Sequence, residues 1–325
     1  MVKRSIAGTI PQTLKASLML GLAGCVYGGY LTTLKIAANA GYTRDNLIVG
    51  QYLFALAVFG ILVLFRYRGE LVWGKHMLKI LFIGVFGFGT NLCLYESVAA
   101  VNSSFSVTML FQSIWIGIVF ESLISRKLPP ISRMIAAALV VLGMPLAAGF
   151  FAGGSSINPA GILWGFGAAL SYVGMMWTSS HFGIKVHPVV RTFYFALAQV
   201  ALASITSPQF YTSSILDPLA WQYAIPLGLF TGVIPMLLIM KYSPMVPIGV
   251  STIMVGMELP STIVLEIMIL HQAHGLLNSI GVLMICLGIV VANQEGISEF
   301  LKQQKQEKSS ACLQSVRDEH PQGFR

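Results

Sequence analysis

Ten apolar runs of membrane-spanning length follow one another along the chain. They lie at about 16–38, 47–65, 77–98, 104–124, 133–152, 160–181, 189–207, 219–240, 245–270 and 275–294. Polar connectors between them are mostly short. The two longest breaks, 153–159 and 208–218, are rich in turn formers. Beyond Gln294 the pattern turns polar, and 295–325 reads as a short helix followed by a disordered tail. The pattern predicts an all-α integral membrane protein with ten transmembrane helices. The run at 245–270 stands out. It would reach about 39 Å as a helix, and it holds Glu258 near its middle, two residues before Pro260. A charge at that depth costs several kcal/mol unless it is paired, protonated or wetted. Pro260 removes a backbone donor and crowds the preceding turn.

Self-comparison predicts a duplication. At an offset of 145 residues, Tyr27, Gly29 and Thr33 meet Tyr172, Gly174 and Thr178. Gly87 meets Gly232, Glu121 meets Glu266, and Leu142-Gly143 meets Leu287-Gly288. Apolar matches between membrane helices are common by chance; Gly, Tyr, Thr and Glu matches at one offset carry more weight. Each half has five helices, an odd number, so the second half enters the membrane the opposite way round. The expected organisation is therefore two inverted five-helix repeats, 1–152 and 153–294, with a cytoplasmic tail at 295–325. Inverted repeats of this kind build a substrate site near the midplane, between the halves.

Composition agrees with the pattern. Of 325 residues, 55% are hydrophobic and 10% charged, against about 25% charged in soluble domains. Mean hydropathy is +0.76. The net charge of +8 does not point to nucleic acid, because the basic residues are spread between apolar runs rather than gathered in one patch. With the N-terminus inside, the inner segments hold Lys3, Arg4, Lys15, Arg66, Arg68, Lys75, Lys79, Arg126, Lys127, Arg133, Lys185, Arg191, Lys241 and the basic residues of the tail. The outer segments hold Arg44, and Lys35 lies within the first helix. This asymmetry predicts a plasma-membrane protein with both termini cytoplasmic, and it sets Trp221 and Tyr223 at the outer interface. Ala38-Asn39-Ala40 mimics a signal-peptidase site, yet the run before it is too long for a signal peptide, so no cleavage is expected. Cys25, Cys93 and Cys286 fall in apolar runs and Cys312 in the tail, which argues against a disulfide framework.

The stretches LYESVAAVNSSFSVTMLFQSIWIGIVFESLISRKLPPISRMIAAALVVLGMPLAAG and MKYSPMVPIGVSTIMVGMELPSTIVLEIMILHQAHGLLNSIGVLMICLGIVVAN carry a family likeness. The sequence resembles the drug/metabolite transporter superfamily, in particular its ten-helix members with two EamA-type repeats. Glu258-Leu259-Pro260 approximates the family's mid-helix Glu and Pro with one residue inserted. Leu142-Gly143 and Leu287-Gly288 match its closing Leu-Gly. Ser125-Arg126 and His271-Gln272 stand where the family carries a loop Gly-Glu. The resemblance spans about 14–294 and implies a ten-helix permease.

Glu258 is the leading candidate for substrate or ion coupling; the structural alternative is a protonated acid bonded to the backbone that Pro260 frees. Gln112, Asn91, Gln51, Gln199 and Asn278 are neutral polar residues within helices. They offer hydrogen bonds to a substrate or, more commonly, between helices. Tyr27, Tyr172, Trp115 and Trp177 are candidates for an aromatic cavity. Glu121 and Glu266 are candidate gates, one per face, or boundary carboxylates that pair with Arg126 and His271. Lys35 and Glu96 are a candidate outer gate pair. Gly24 with Gly28, and Gly161 with Gly165, allow close helix approach, within the monomer or in a dimer. His271 and His274 lack a third strong ligand, so no metal is expected. No nucleotide fingerprint is present, and no cofactor is expected. Ser113 stands where Glu258 would repeat and Trp115 where Pro260 would, so the acid and its helix break are both expected in the second half alone.

The expected function is alternating-access transport of a small metabolite, coupled to a proton, another ion or the substrate gradient. A sugar or nucleotide-sugar carrier of the same superfamily is the alternative. A membrane enzyme is less favoured because the polar residues are scattered, and a non-transporting scaffold because the tail is short. The expected partners are a small-molecule substrate and the lipid bilayer, with no nucleic acid, in a monomer or homodimer.

Overall fold

The computed structural model describes residues 12–101, 103–147, 158–270 and 275–294. The expectations for Lys3 and Arg4, for His271 and His274, and for the tail with Cys312 lie outside the described residues.

Among the described residues every regular element is helical. The first part of the chain forms α1 (Gln12–Asn39), α2 (Arg44–Leu62), α3 (Lys75–Ala100), α4 (Ser103–Leu110), α5 (Ser113–Ser125) and α6 (Ile131–Ala147). The second part forms α7 (Pro159–His181), α8 (Pro188–Thr206), α9 (Pro218–Gly228), α10 (Ile234–Tyr242), α11 (Ile248–Val255), α12 (Glu258–Leu270) and α13 (Leu276–Ala292). Among the described residues, eight stretches are long and apolar enough to cross a membrane. The helices α6 and α13 are apolar but have 17 residues each, about 25 Å of helix, and they pack against each other.

Local chemistry explains several boundaries. The helices α7, α8 and α9 each begin with a Pro in the first turn, where its missing N–H costs nothing. Before each Pro stands a side chain that accepts the backbone N–H two residues on. Asn158 accepts from Ala160 at 3.0 Å, His187 from Val189 at 3.3 Å and Asp217 from Leu219 at 2.9 Å. Between α9 and α10 the chain widens into one π-helical turn, Leu229–Val233. Pro226 and Pro235 flank it, each withholding a donor from the helical ladder.

The expected helix break in the second half is present, but its position differs. The chain turns at Gly256 and Met257, and Glu258 is the first residue of α12. Pro260 therefore sits in the first helical turn, where it is tolerated, and does not itself interrupt a longer helix. The expectation that the first half lacks a break is wrong. The chain also turns at Phe111 and Gln112, between α4 and α5. No Pro stands there; the side chain of Gln112 donates to the Thr108 carbonyl at 3.2 Å and accepts from Trp115 Nε1 at 2.8 Å, which holds the turn.

The helix α1 lies along the α11–α12 break. A Cβ at Gly24 would run into the Val255 backbone, and one at Gly28 into the Ser261 side chain and the Thr262 nitrogen. With glycine at both positions, Ser261 Oγ donates to the Cys25 carbonyl at 2.8 Å. Gly161 and Gly165 likewise face α3, α4 and the residues between them within the same chain. Both glycine pairs thus serve packing inside the protomer.

Arg191 was expected at the inner interface. It is instead buried, with 1% of its surface exposed. Its guanidinium donates to the Ser179 carbonyl in the last turn of α7 and to the Met240 carbonyl in the last turns of α10. Carbonyls at helix C-termini have no partner within their own helix, so one side chain on α8 closes two helix ends. Arg191→Met is expected to leave both without a partner and to cost about 2–5 kcal/mol. A denaturation series in detergent checks this; an unchanged midpoint would show that the clasp contributes nothing.

Candidate functional site

A narrow cavity of about 70 Å³ lies inside the bundle. Its walls come from both parts of the chain. From the first come Tyr27 and Tyr30 of α1, Tyr52 of α2, Thr90 and Asn91 of α3, and Leu110 of α4. From the second come Tyr172 of α7, Gln199 of α8, Thr231 of the π turn, Met236 of α10 and Glu258 of α12. Of the candidates named from sequence, the fold brings Glu258, Asn91, Tyr27, Tyr172 and Gln199 together. Gln112 and Gln51 do not line the cavity: Gln112 holds the α4–α5 turn, and Gln51 is buried on α2. Trp115 and Trp177 lie elsewhere. Trp115 packs near Phe166 with ring centroids 6.3 Å apart, and Trp177 stacks on His181 at 4.9 Å. Asn278 bonds helix to helix, donating to the Ala147 carbonyl at 2.9 Å.

Other wall residues, among them Tyr30, Tyr52, Thr90, Thr231 and Met236, do not stand out in the sequence as candidates. Tyr30 was accessible to reasoning, since it stands three residues after Tyr27 on one helix face. Tyr52 adjoins Gln51, and neighbouring residues on a helix point about 100° apart, so the inward position was missed by one. Thr231 reaches the wall through the π turn, which the sequence pattern does not reveal.

Glu258 begins α12, where the positive end of the helix dipole favours a carboxylate. Its backbone carbonyl accepts from Ser261 Oγ at 3.1 Å and Thr262 Oγ1 at 2.8 Å. No hydrogen bond or ion pair to its carboxyl is formed by a side chain among the described residues. The tyrosines beside it are held in place. Tyr27 donates to Met236 Sδ at 3.3 Å, Tyr30 and Tyr95 share a hydrogen bond at 3.4 Å, and Asn91 donates to the Tyr52 hydroxyl at 2.7 Å.

The four candidate gate residues are arranged differently from expectation. Lys35 and Glu96 do not pair. Lys35 on α1 pairs with Glu266 on α12, which is buried, about 12 Å along the helix from Glu258. Glu96 lies 3.9 Å from Arg44, whose guanidinium stacks over Tyr95 at 4.8 Å. At the same end Tyr42 donates to Asp217 at 2.6 Å and Ser207 to Asp45 at 2.8 Å. Glu121 does not pair with Arg126, because α5 ends at Ser125 and Arg126 turns away with φ 54°. Arg133 on α6 reaches back to Glu121 at 3.2 Å instead. The other oxygen of Glu121 accepts from the Gly249 N–H at 3.0 Å, at the start of α11.

No family model matches the chain, and no curated protein matches it in sequence. Among solved structures, a crystal structure of a protein superposes with a TM-score of 0.71. The alignment covers 86% of this chain and 98% of that one, at 18% identity. At that identity the likeness establishes a shared fold.

The Tyr42–Asp217 contact carries a pH signature. The Tyr42 hydroxyl, together with backbone N–H groups, holds the Asp217 carboxyl below its ordinary range, and the same hydrogen bond pushes Tyr42 up to about 12. A depressed carboxyl stabilises the fold above its ordinary pKa and loses that contribution as pH falls through the lowered value. A raised tyrosine contributes below its own ordinary pKa and loses that contribution as pH climbs toward the raised one. Tyr42→Phe is therefore expected to lower the thermal midpoint equally from about pH 5 to pH 9, with the difference shrinking in stronger acid. A difference that varies between those limits would contradict the assignment.

Proposed function

We propose that the chain is a secondary transporter that moves a small metabolite by alternating access. On this reading it is a ten-span, EamA-type member of the drug/metabolite transporter superfamily, built from two inverted repeats and working without catalysis. The observation that carries the reading is a shared offset. Moving α4, α5 and α6 by 145 residues reproduces the bounds of α11, α12 and α13, and the turn at 111–112 falls on the turn at 256–257. The helix α2 falls within one residue of α8. Contacts exchange in the same way: α1 packs on α11 and α12 as α7 packs on α4 and α5, while α6 meets its own counterpart α13. These correspondences support a two-fold relation between halves, with α6 and α13 counted as the fifth span of each. A cavity walled by both halves, with a lone acid at a broken helix, is the arrangement such transporters use.

The basic residues support an orientation. Arg66, Arg68, Arg126, Lys127 and Lys185 lie in the connectors, and Lys75 begins α3, on the cytoplasmic side of this reading. The end tied by Lys35–Glu266 and Tyr42–Asp217 is then the outer one, with both termini in the cytoplasm of a plasma-membrane protein. The nucleotide-sugar alternative is less favoured, because Lys, Arg and His are absent from the described residues that wall the cavity, whereas Glu258 is among them. A diphosphate would meet a carboxylate there and no counter-charge.

Counterflow in proteoliposomes tests the reading, with substrates chosen by a thermal-shift screen of amino acids, nucleosides, sugars and amines. Exchange of labelled substrate is expected; its absence for every ligand that binds would point to a sensor or scaffold, and chemical conversion to an enzyme. Glu258→Gln is expected to slow exchange by about tenfold or more, equivalent to about 1.4 kcal/mol. Wild-type rates with unchanged pH dependence would remove Glu258 from the coupling role.

A further inference from the structure

We infer that the cavity selects solutes carrying an organic ammonium group on an apolar body. This rests on reading the cavity as the solute site, and it adds the substrate class. Four features of the wall converge on it.

The first is charge. The described wall residues include one acid, Glu258, and no base. The second is the state of that acid among its peers. Glu121, Glu266, Glu96 and Asp217 each have a cation or a hydroxyl against them. The Glu258 carboxyl has no such partner among the described side chains, so the solute can supply the counter-charge. The third is the aromatic set. Tyr27, Tyr30 and Tyr52 have hydroxyls already engaged within the protein. Tyr52 accepts there and keeps its own O–H for a solute, whereas Tyr27 and Tyr30 offer chiefly their rings, and the face of a ring attracts a cation. The fourth is the remaining surface. Leu94, Val107, Leu110, Met175 and Phe195 give an apolar wall for a hydrocarbon body. The cavity holds about 70 Å³ in this conformation, so even a small amphiphile needs the bundle to open around it. An anion would face the carboxylate with only neutral donors to compensate, and a neutral polyol would leave the acid unpaired.

A matched set of ligands tests this with the full chain purified in detergent, read by thermal shift and direct titration. The set is 2-phenylethylamine, its N,N,N-trimethyl derivative, 2-phenylethanol, phenylalanine and 3-phenylpropionate. Both cations are expected to bind at least about tenfold more tightly than the alcohol, equivalent to about 1.4 kcal/mol, and the carboxylate not to bind. Glu258→Gln is expected to bring the amine down to the affinity of the alcohol and to leave the alcohol unchanged. The wild-type series decides the question even if that variant fails to fold. Equal or tighter binding of the alcohol, phenylalanine or the carboxylate would overturn the inference, as would no binding of either cation at millimolar concentration. Binding in detergent needs no flux, so the two readings fail separately. Ammonium binding without counterflow would leave this inference standing and remove transport. Counterflow of neutral or anionic solutes alone would do the reverse.

Discussion

A helix interrupted inside an apolar bundle leaves backbone donors and acceptors that no water can satisfy, and each must find a partner in the protein. The turn at Gly256–Met257 imposes that constraint here, with the Glu258 carboxylate added to it. Much of the architecture around it can be read as the answer. The helix α1 comes close because Gly24 and Gly28 have no side chain to keep it away. That closeness lets Ser261 bond across to the α1 backbone. The remaining turn groups bond locally: Gly256 N to the Thr252 and Ile253 carbonyls, and Met257 N to the Met254 carbonyl. Among the described residues no side chain partners the carboxylate, and it points the chemistry of the cavity toward whatever enters.

The same contacts bear on motion. The helices α1 and α12 are joined twice, by the glycine-mediated contact beside Glu258 and by the Lys35–Glu266 pair about 12 Å away. Packed backbone against backbone is rigid, whereas the ion pair joins a half-exposed lysine to a buried carboxylate and separates only if water reaches Glu266. A rocking movement that opened the Lys35 end would separate the ion pair while keeping the glycine contact as its pivot. At the opposite end Glu121 ties α5, α6 and the start of α11 together. Each shared glutamate thus fastens an end of the bundle, and the unshared one faces the cavity.

The sequence made the helices legible because lipid-spanning runs are long and nearly free of charge. Glu258 was legible for the same reason, as an outlier of cost within such a run. The partners of charged residues were not. Lys35 was expected to meet Glu96 from proximity in the predicted topology, but Glu266, much later in the chain, meets it across the α1–α12 contact. Arg191 reads from sequence as one more inner positive charge; only the fold shows two orphan carbonyls around it. The break at Phe111–Gln112 carries neither Pro nor Gly, so tertiary packing sets it rather than local propensity. Choosing Gln51 over Tyr52 shows the limit at the cavity itself, where one residue of helical phase decides which side chain faces inward.

Access to the cavity from each side of the membrane is the most direct measure of the central claim. A single cysteine in the wall, Thr231→Cys, in a chain with Cys25, Cys93, Cys286 and Cys312 replaced, reports it through a membrane-impermeant thiol reagent applied to sealed vesicles of known orientation. Labelling from either side, slowed by bound solute, is the expected result. Labelling confined to one side under every condition, or absent from both, would contradict alternating access around Glu258.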